Sequence, residues 1–274
     1  MSKYKYIYGP VASWRLGSSL GIDLLSQEGK ICNFDCVYCQ LGPAKEHSAE
    51  RKTYVPTQKV LAEIKTLPLD TPIDFITFSG RGEPTLAANL GEAIKEVKAL
   101  GKAPIAVLTN SALIKEDQVR QELSLADFVV AKLDACSLEL LEKINRPLRE
   151  IDFTDIVDGI KKFKKGYQGR LALQIMFIPY SQPGSNFLNS NKGEVNKFIY
   201  LANYIKPDEI QVNTPLRPCS ITALPKEEIF KIKDLFSTSC KNIKIVSVYG
   251  QGRLKEVVSL SDADTLSRRG KTKH

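Results

Sequence analysis

The order of apolar segments along the chain predicts an α/β fold built on a parallel sheet covered by helices. Three observations carry that expectation. Short apolar runs of strand length recur along the chain. Each is followed by apolar residues at helical spacing. The alternation repeats through at least six units, with no Pro-, Gly- or Ser-rich linker and no internal repeat to divide it. An open doubly wound sheet and a full or partial barrel satisfy this pattern equally, because both bury their strands on two faces.

The elements follow in order. A strand is expected near residues 19–24, preceded by Tyr4, Tyr6 and Tyr8, whose alternation reads as an edge strand. Residues 73–78 (IDFITF) form the next strand, and Leu90, Ile94 and Val97 the apolar face of the helix after it. Residues 104–109 (PIAVLT) make a strand ended by Asn110 and Ser111, with a short helix around 115–123. Residues 127–133 (DFVVAKL) make another, and Ile156, Ile160 and Phe163 mark a long helix that Gly166 ends. Residues 171–178 (LALQIMFI) form a strand, and Val195, Phe198, Ile199 and Ala202 the helix behind it. A short strand at 209–213 follows. Pro225 opens a helix through Ile229, Ile232 and Phe236, and residues 243–248 close the series.

Of the 274 residues, 43% are hydrophobic and 26% charged, which excludes a disordered charged chain, a collagen-like chain and a disulfide-held miniature. Thirty-nine Lys and Arg against 31 Asp and Glu leave +8, an excess that favours anionic partners without identifying one. The opening MSKYKYIYGP lacks the apolar run of a signal peptide, and no apolar stretch approaches the roughly 20 residues that span a bilayer. A cytoplasmic protein with no membrane partner is expected. The division expected is a core over residues 1–250 and a tail over 251–274. Arg268, Arg269, Lys271 and Lys273 in that tail read as a solvated or disordered end, or a shortened accessory element.

Six cysteines are too few for a disulfide scaffold, and their distribution is uneven. Cys136, Cys219 and Cys240 are scattered, whereas Cys32, Cys36 and Cys39 lie within eight residues and suit a reducing compartment. These three thiols converge if the chain curls around a common point. Soft thiolates suit zinc or an iron–sulfur cluster. A closed zinc site wants four protein ligands, and no fourth is evident nearby. A [4Fe–4S] cluster on three cysteines would leave one iron open to another molecule.

A second constellation, Ser79-Gly80-Arg81-Gly82-Glu83-Pro84-Thr85, follows the strand ending at Phe78. Its glycines permit a sharp turn and a close approach of backbone to ligand, and Glu83 offers a negative acceptor at the strand's C-terminal end. No Gly-Lys-Ser/Thr follows, so it is not a phosphate loop. Further polar residues stand at or near successive strand ends: Asn110, Lys132, Asp134, Gln174, Met176 with them, Asn213 and Arg217. Together they can converge over one cavity. Lys132 could polarise a carbonyl or form a Schiff base, or equally pair with a neighbouring carboxylate.

Cys32, Cys36 and Cys39 with Tyr38, set beside Gly9-Pro10-Val11, the stretch 15–23 (RLGSSLGID) and Gln40-Leu41-Gly42, resemble the radical S-adenosylmethionine (radical SAM) enzymes. The resemblance runs from about Tyr6 to Val248. It points to the branch containing wyosine-type tRNA-modifying enzymes and uncharacterised iron–sulfur oxidoreductases. It implies a partial (β/α)6 TIM-like barrel with short N- and C-terminal extensions. It implies one [4Fe–4S] cluster held by Cys32, Cys36 and Cys39, with S-adenosylmethionine on the open iron and Tyr38 beside the adenine. By the same resemblance Ser79, Gly80, Gly82 and Glu83 bind the methionine amino group, and Asn110 and Asp134 face methionine or ribose. Gln174 and Met176 join them as cofactor-binding candidates. Lys132 and Arg146, the latter in Ile144-Asn145-Arg146-Pro147, are the catalytic candidates, Arg146 meeting a carboxylate of the cofactor or a substrate anion.

The chemistry so implied is reductive cleavage of S-adenosylmethionine to a 5′-deoxyadenosyl radical that takes hydrogen from a substrate. An external flavodoxin- or ferredoxin-like donor supplies the electron, and a small molecule is the expected substrate. A tRNA base, a protein side chain, or a cluster used only for structure or sensing are the alternatives. The chain departs from the branch in having no cysteine before Cys32, so the second cluster of the tricyclic-base builders is not expected. Cys136, Cys219 and Cys240 are expected as free thiols. Some branch members continue beyond the position of Arg269, so a lost accessory module is expected. The polar stretch 42–55 is the candidate lid.

Overall fold

The computed structural model describes residues 4–182, 185–250 and 256–267. The chain begins with an antiparallel pair, β1 (Ile7–Ser13) and β2 (Gly17–Ile22), then a small parallel pair, β3 (Lys30–Cys32) and β4 (Ala44–His47). Helix α1 (Thr57–Lys65), β5 (Phe75–Phe78) and a 3-10 turn (Pro84–Leu86) lead into α2 (Leu90–Ala99) and β6 (Ile105–Thr109). Next come α3 (Asp117–Leu123), β7 (Phe128–Lys132), α4 (Leu138–Ile144), α5 (Phe153–Gly166) and β8 (Arg170–Met176). The hairpin strands β9 (Pro179–Gln182) and β10 (Ser185–Leu188) precede α6 (Lys192–Ile205) and β11 (Glu209–Asn213). Helix α7 (Lys226–Ser239), β12 (Lys244–Ser247) and the short α8 (Ala263–Ser267) complete the described chain.

The main sheet has eight strands in the order β1-β2-β5-β6-β7-β8-β11-β12. Every neighbouring pair from β2 onward is parallel. Because β1 and β12 are edges that do not pair, the sheet curls into a half-barrel instead of closing. The seven-strand parallel run is the expected series with its boundaries shifted by at most two residues.

The helices form where caps and periodicity coincide. Asp152 accepts from the N–H of Thr154 at 2.7 Å and opens α5, whose buried face holds the expected Ile156, Ile160 and Phe163, and Gly166 is its last residue. Asn191 caps α6 through the N–H of Glu194. Three helices, α1, α4 and the short α8, have no counterpart in the sequence expectation.

Period-two alternation divides the sheet into two faces. Ile105, Val107, Val129, Ala131, Leu171 and Leu173 pack in the large core beneath the helices. Their neighbours Ala106, Phe128, Val130 and Ala172 meet Leu16 in a small cluster on the concave face. Further along the same concave rows the chemistry turns polar. Lys132 lies opposite Gln174, Gln174 opposite Gln211, and Met176 opposite Asn213. The apolar layer plugs one end of the half-barrel, and the polar layer lines a cavity at the C-terminal ends of the strands, where sites gather on such folds.

Three expectations are corrected. Tyr4 and Tyr6 precede β1 instead of alternating within it, and Tyr4 and Tyr8 are buried. Stretch 42–55 is fastened down: Arg51 Nε donates to Thr85 O at 2.8 Å, Arg51 pairs with Glu122, and Lys52 bridges Ala87. It is no free flap, and it does not line the cavity. The described part of the expected tail is docked, because Leu260 N donates to Gly9 O at 2.9 Å and Gly9 N to Ser261 Oγ at 2.8 Å. Ser261 and Thr265 are buried. This contact covers the outer edge of β1, which would otherwise present unpaired backbone groups. Arg268, Arg269, Lys271 and Lys273 lie outside the described residues.

Candidate active site

The three clustered cysteines sit on the turn between β3 and β4. Lys30, buried at the start of β3, donates to Asp35 Oδ1 at 3.0 Å and Gly42 O at 3.1 Å, closing the turn like a clasp. The loop is stitched to the end of α4: Asp35 N donates to Asn145 O at 2.9 Å, Val37 N to Ile144 O at 2.9 Å, and Leu148 N to Asn33 O at 3.2 Å. Phe34 bridges Pro147. Residues 30–42 and 144–148 therefore form one unit despite their separation in the chain.

The residues present fit an iron–sulfur cluster. All the ligands offered are sulfur. Three N–H donors are aimed at two of the sulfurs: Phe34 N at 3.4 Å and Asn110 Nδ2 at 3.6 Å on Cys32, and Asn145 Nδ2 at 3.3 Å on Cys36. Hydrogen bonds to ligating sulfurs are a lever by which proteins set cluster potential. Burial pushes the Cys32 and Cys36 thiols above their ordinary values, with Cys36 and Glu83 adding at Cys32. The thiolate therefore needs a positive partner, which bound iron supplies. Among the described residues no three His, Cys, Asp or Glu side chains gather around a single ion. A cluster asks for the wider spacing, since each thiolate binds its own iron.

The glycine strip is built into this unit. A Cβ on Gly82 would fall 1.5 Å from Ile31 O, and Glu83 N donates to that same oxygen at 3.1 Å. A Cβ on Gly80 would fall 2.3 Å from Asp23 Cγ. The close approach that the glycines permit is therefore to the protein's own β3 and Asp23. Glu83, 2% exposed, accepts at Oε1 from Thr85 N, Thr85 Oγ1 and Thr109 Oγ1, and at Oε2 from Asn110 N at 2.6 Å. Burial raises its carboxyl above the usual carboxylate range, and these four donors oppose that rise. Glu83 and Gly82 do not line the cavity, whereas Ser79 and Gly80 do.

Asn110 turns the same way, giving its amide to Cys32 and to Asn33 Oδ1 at 2.7 Å. A buried polar knot occupies the floor beside it. Tyr38 donates its hydroxyl to Asp134, Lys132 Nζ donates to the Tyr38 oxygen at 2.7 Å, and Lys132 pairs with Asp134 at 3.2 Å. Asn145 Nδ2 reaches Tyr38 and Asp134 at 3.2 Å each, and Met176 N donates to Asp134 Oδ1 at 2.8 Å. Burial alone would lower the Lys132 ammonium, but Asp134 and then Cys36 outweigh it and hold it above its ordinary value. Lys132 is thus kept as a donor and cation, not as the free amine that attacks a carbonyl.

A cavity of about 370 Å³ opens over this floor. Tyr38, Cys39, Lys132, Gln174 and Met176 line it among the expected residues, and Asn213 and Arg217 join them. Asp134 and Asn110 stand behind the wall, holding residues that reach it. Arg146 is set apart: it is exposed, adopts a left-handed φ of 46°, and its contribution to the unit is a backbone carbonyl accepting from Asp35 N at 3.2 Å. The scattered thiols are separately engaged. Cys136 donates to Glu194 and is pushed up to about 12 by burial and that partner, Cys219 donates to Ile221 O at 3.3 Å, and Cys240 is buried at the end of α7. Sequence reasoning missed Asn145 and Asn33 as supports of the cysteines. The Ile144–Pro147 motif is the sequence signal that carries Asn145.

The chain matches the family model of the radical SAM superfamily over residues 29–182. A UPF0026 protein of Synechocystis is 42% identical over 213 residues, covering 77% of this chain and 76% of its own. A Brachyspira hyodysenteriae protein named GTPase Obg is 33% identical over 279 residues, covering 99% of this chain, which spans 40% of that relative's length. Among solved structures, TYW1 with a lysine–pyruvate adduct bound superposes with a TM-score of 0.58 at 17% identity, covering 80% of this chain and 73% of its own. Native anSMEcpe with bound AdoMet gives 0.57 at 17% identity, covering 83% and 64%. At these identities the structural likeness is one of fold.

Proposed function

Because this chain belongs to the radical SAM superfamily and, within it, to the UPF0026 proteins, we propose that it cleaves S-adenosylmethionine at a [4Fe–4S] cluster held by Cys32, Cys36 and Cys39 and turns the resulting radical on a small molecule in the 370 Å³ cavity. The observation that carries this reading is the convergence of the cysteine loop, through Tyr38 and Cys39, with Ser79, Gly80, Lys132 and Gln174 on one cavity wall. Bound there, the cluster and cofactor would supply a one-electron cleavage of the sulfonium C–S bond, giving methionine and a 5′-deoxyadenosyl radical that abstracts hydrogen.

The protein's own residues bind, orient and exclude water. Cys32, Cys36 and Cys39 would ligate three irons, with the amides of Asn110 and Asn145 directed at the sulfurs. Ser79 and the backbone at Gly80 would meet the polar methionine end of the cofactor. Glu83 acts one step behind, by fixing Asn110 and the 3-10 turn. The Tyr38 ring, pinned by Asp134 and Lys132, would form the flat wall for the adenine. Lys132 keeps its proton and positions Tyr38 while offering a cation to the cavity. The apolar layer around Phe128 and Val130 closes the floor against water. The enzyme needs an external electron donor, which we take to be flavodoxin- or ferredoxin-like. No helix among the described residues is long and apolar enough to cross a membrane.

The test is anaerobic reconstitution with iron and sulfide, followed by S-adenosylmethionine and dithionite. About four irons per chain, as one [4Fe–4S] cluster requires, and 5′-deoxyadenosine that disappears in a folded Cys36→Ala variant support the reading. Stoichiometric zinc with no cleavage would overturn it.

A further inference from the structure

Among the described residues three cations line the cavity, Arg15, Lys132 and Arg217, and no Asp or Glu does. Lys132 is already paired with Asp134 behind the wall. Arg15 and Arg217 form no ion pair among the described residues, and the Arg15 Nε is buried without a hydrogen-bond partner. We propose that Arg15 and Arg217 form an anion clamp that holds a carboxylate or phosphate group of the substrate. The proposal deepens the radical reading above and rests on it for the reaction, but not for the binding.

The geometry supports a clamp. Arg15 lies on the turn between β1 and β2, and Arg217 on the loop after β11, so segments far apart in the sheet order reach one cavity. The Arg15 guanidinium lies 5.2 Å from the centre of the Trp14 ring, which helps orient its plane. Tyr8 lines the same cavity and its hydroxyl bonds Ser79 Oγ at 2.6 Å, linking the cavity wall to the glycine strip. Burial, and then Arg217, lowers Arg15 to about 10, which still leaves it charged at neutral pH. Both guanidinium groups face one cavity, Arg217 exposed and Arg15 half-buried, and like charges facing one space with Arg15 Nε desolvated are costly until an anion satisfies them. Their planar forks suit the two oxygens of a carboxylate or phosphate. The role anticipated for Arg146 toward a substrate anion thus falls to residues that reach the cavity.

The test measures binding by calorimetry on the full-length reconstituted enzyme, with S-adenosylmethionine present and ionic strength held constant. Inorganic phosphate and malonate are the probes, so the preferred one distinguishes phosphate from carboxylate. One saturable site for at least one probe is expected. Arg15→Gln and Arg217→Gln should each weaken it by about tenfold or more, the scale of a lost charge-assisted hydrogen bond. Arg15→Lys should fall between, and Lys161→Gln on α5 should match wild type. Affinity for S-adenosylmethionine should be unchanged in every variant. The clamp is overturned if neither probe saturates, or if both Gln variants bind like wild type. It is equally overturned if they lose S-adenosylmethionine affinity in step, since the arginines would then serve the cofactor. Melting curves identify a variant that fails to fold, in which case the other arginine carries the test. Failure of the radical reading shows separately, as absent 5′-deoxyadenosine in a wild-type enzyme that still binds the anion.

Discussion

The side-chain amide of Asn145 donates to the sulfur of Cys36 at 3.3 Å, joining residues 109 positions apart in the chain. The same amide reaches Tyr38 and Asp134, so one neutral side chain ties the cysteine loop to the floor of the cavity.

Replacing it tests what that link does. A hydrogen bond to a ligating thiolate favours the reduced, more negative cluster. Asn145→Ala should therefore lower the reduction potential, by about 50 mV if one net hydrogen bond of roughly 1 kcal/mol is lost. A redox titration followed by electron paramagnetic resonance reads this directly. An unchanged potential with full iron content would assign the amide to Tyr38 and Asp134 instead.

Gly82→Ala addresses the seam between the glycine strip and β3. The added methyl would meet a backbone oxygen at 1.5 Å, and neither partner is a flexible side chain. Destabilisation above about 3 kcal/mol is expected, with β3 displaced and Cys32 drawn out of place. Chemical denaturation and iron content after reconstitution should fall together.

Glu83→Gln probes the hub without changing its size. Four donors converge on the carboxylate. A glutamine presents an NH2 where one acceptor stood, so at least one donor loses its partner. A cost of about 1–3 kcal/mol follows for a buried unsatisfied group. Denaturation should show that loss, and a variant as stable as wild type would contradict the hub.

The metal-free protein should weaken in alkali. Burial raises the Cys32 and Cys36 thiols above their ordinary value of 9.0. Groups raised in the folded state stabilise it fully below the unfolded value, and that contribution is lost as pH climbs past it. Stability should therefore hold below about pH 9 and decline above, by up to about 1.4 kcal/mol per pH unit for each thiol. Urea titrations at pH 7.5, 9 and 10 would show the slope, and Cys32→Ser should flatten it. Equal slopes in both proteins would argue against a buried neutral thiol at this position.

Much of the fold can be read from the chain because its signals are local. Strands such as residues 105–109 and helices such as 153–166 announce themselves through short apolar runs, helical periodicity and caps, which need no partner to be seen. Helix α4 escaped because it is short and its apolar positions, Leu140, Leu141 and Ile144, span little more than one turn. The lid expectation failed because a polar stretch looks mobile until Arg51 finds Glu122, a residue on another helix.

By itself the sequence determined the parallel α/β order, the spacing of Cys32, Cys36 and Cys39, and the placement of Lys132, Gln174 and Met176 near strand ends. Only the tertiary structure decided that Glu83 and Asn110 turn inward, that Asn145 reaches a cysteine sulfur while Arg146 stays outside the cavity, and that Arg15 and Arg217 line one cavity. Periodicity and ligand spacing are properties of a few consecutive residues. A carboxylate's four donors, or two cations sharing one cavity, exist only after the sheet has curled and brought distant loops together.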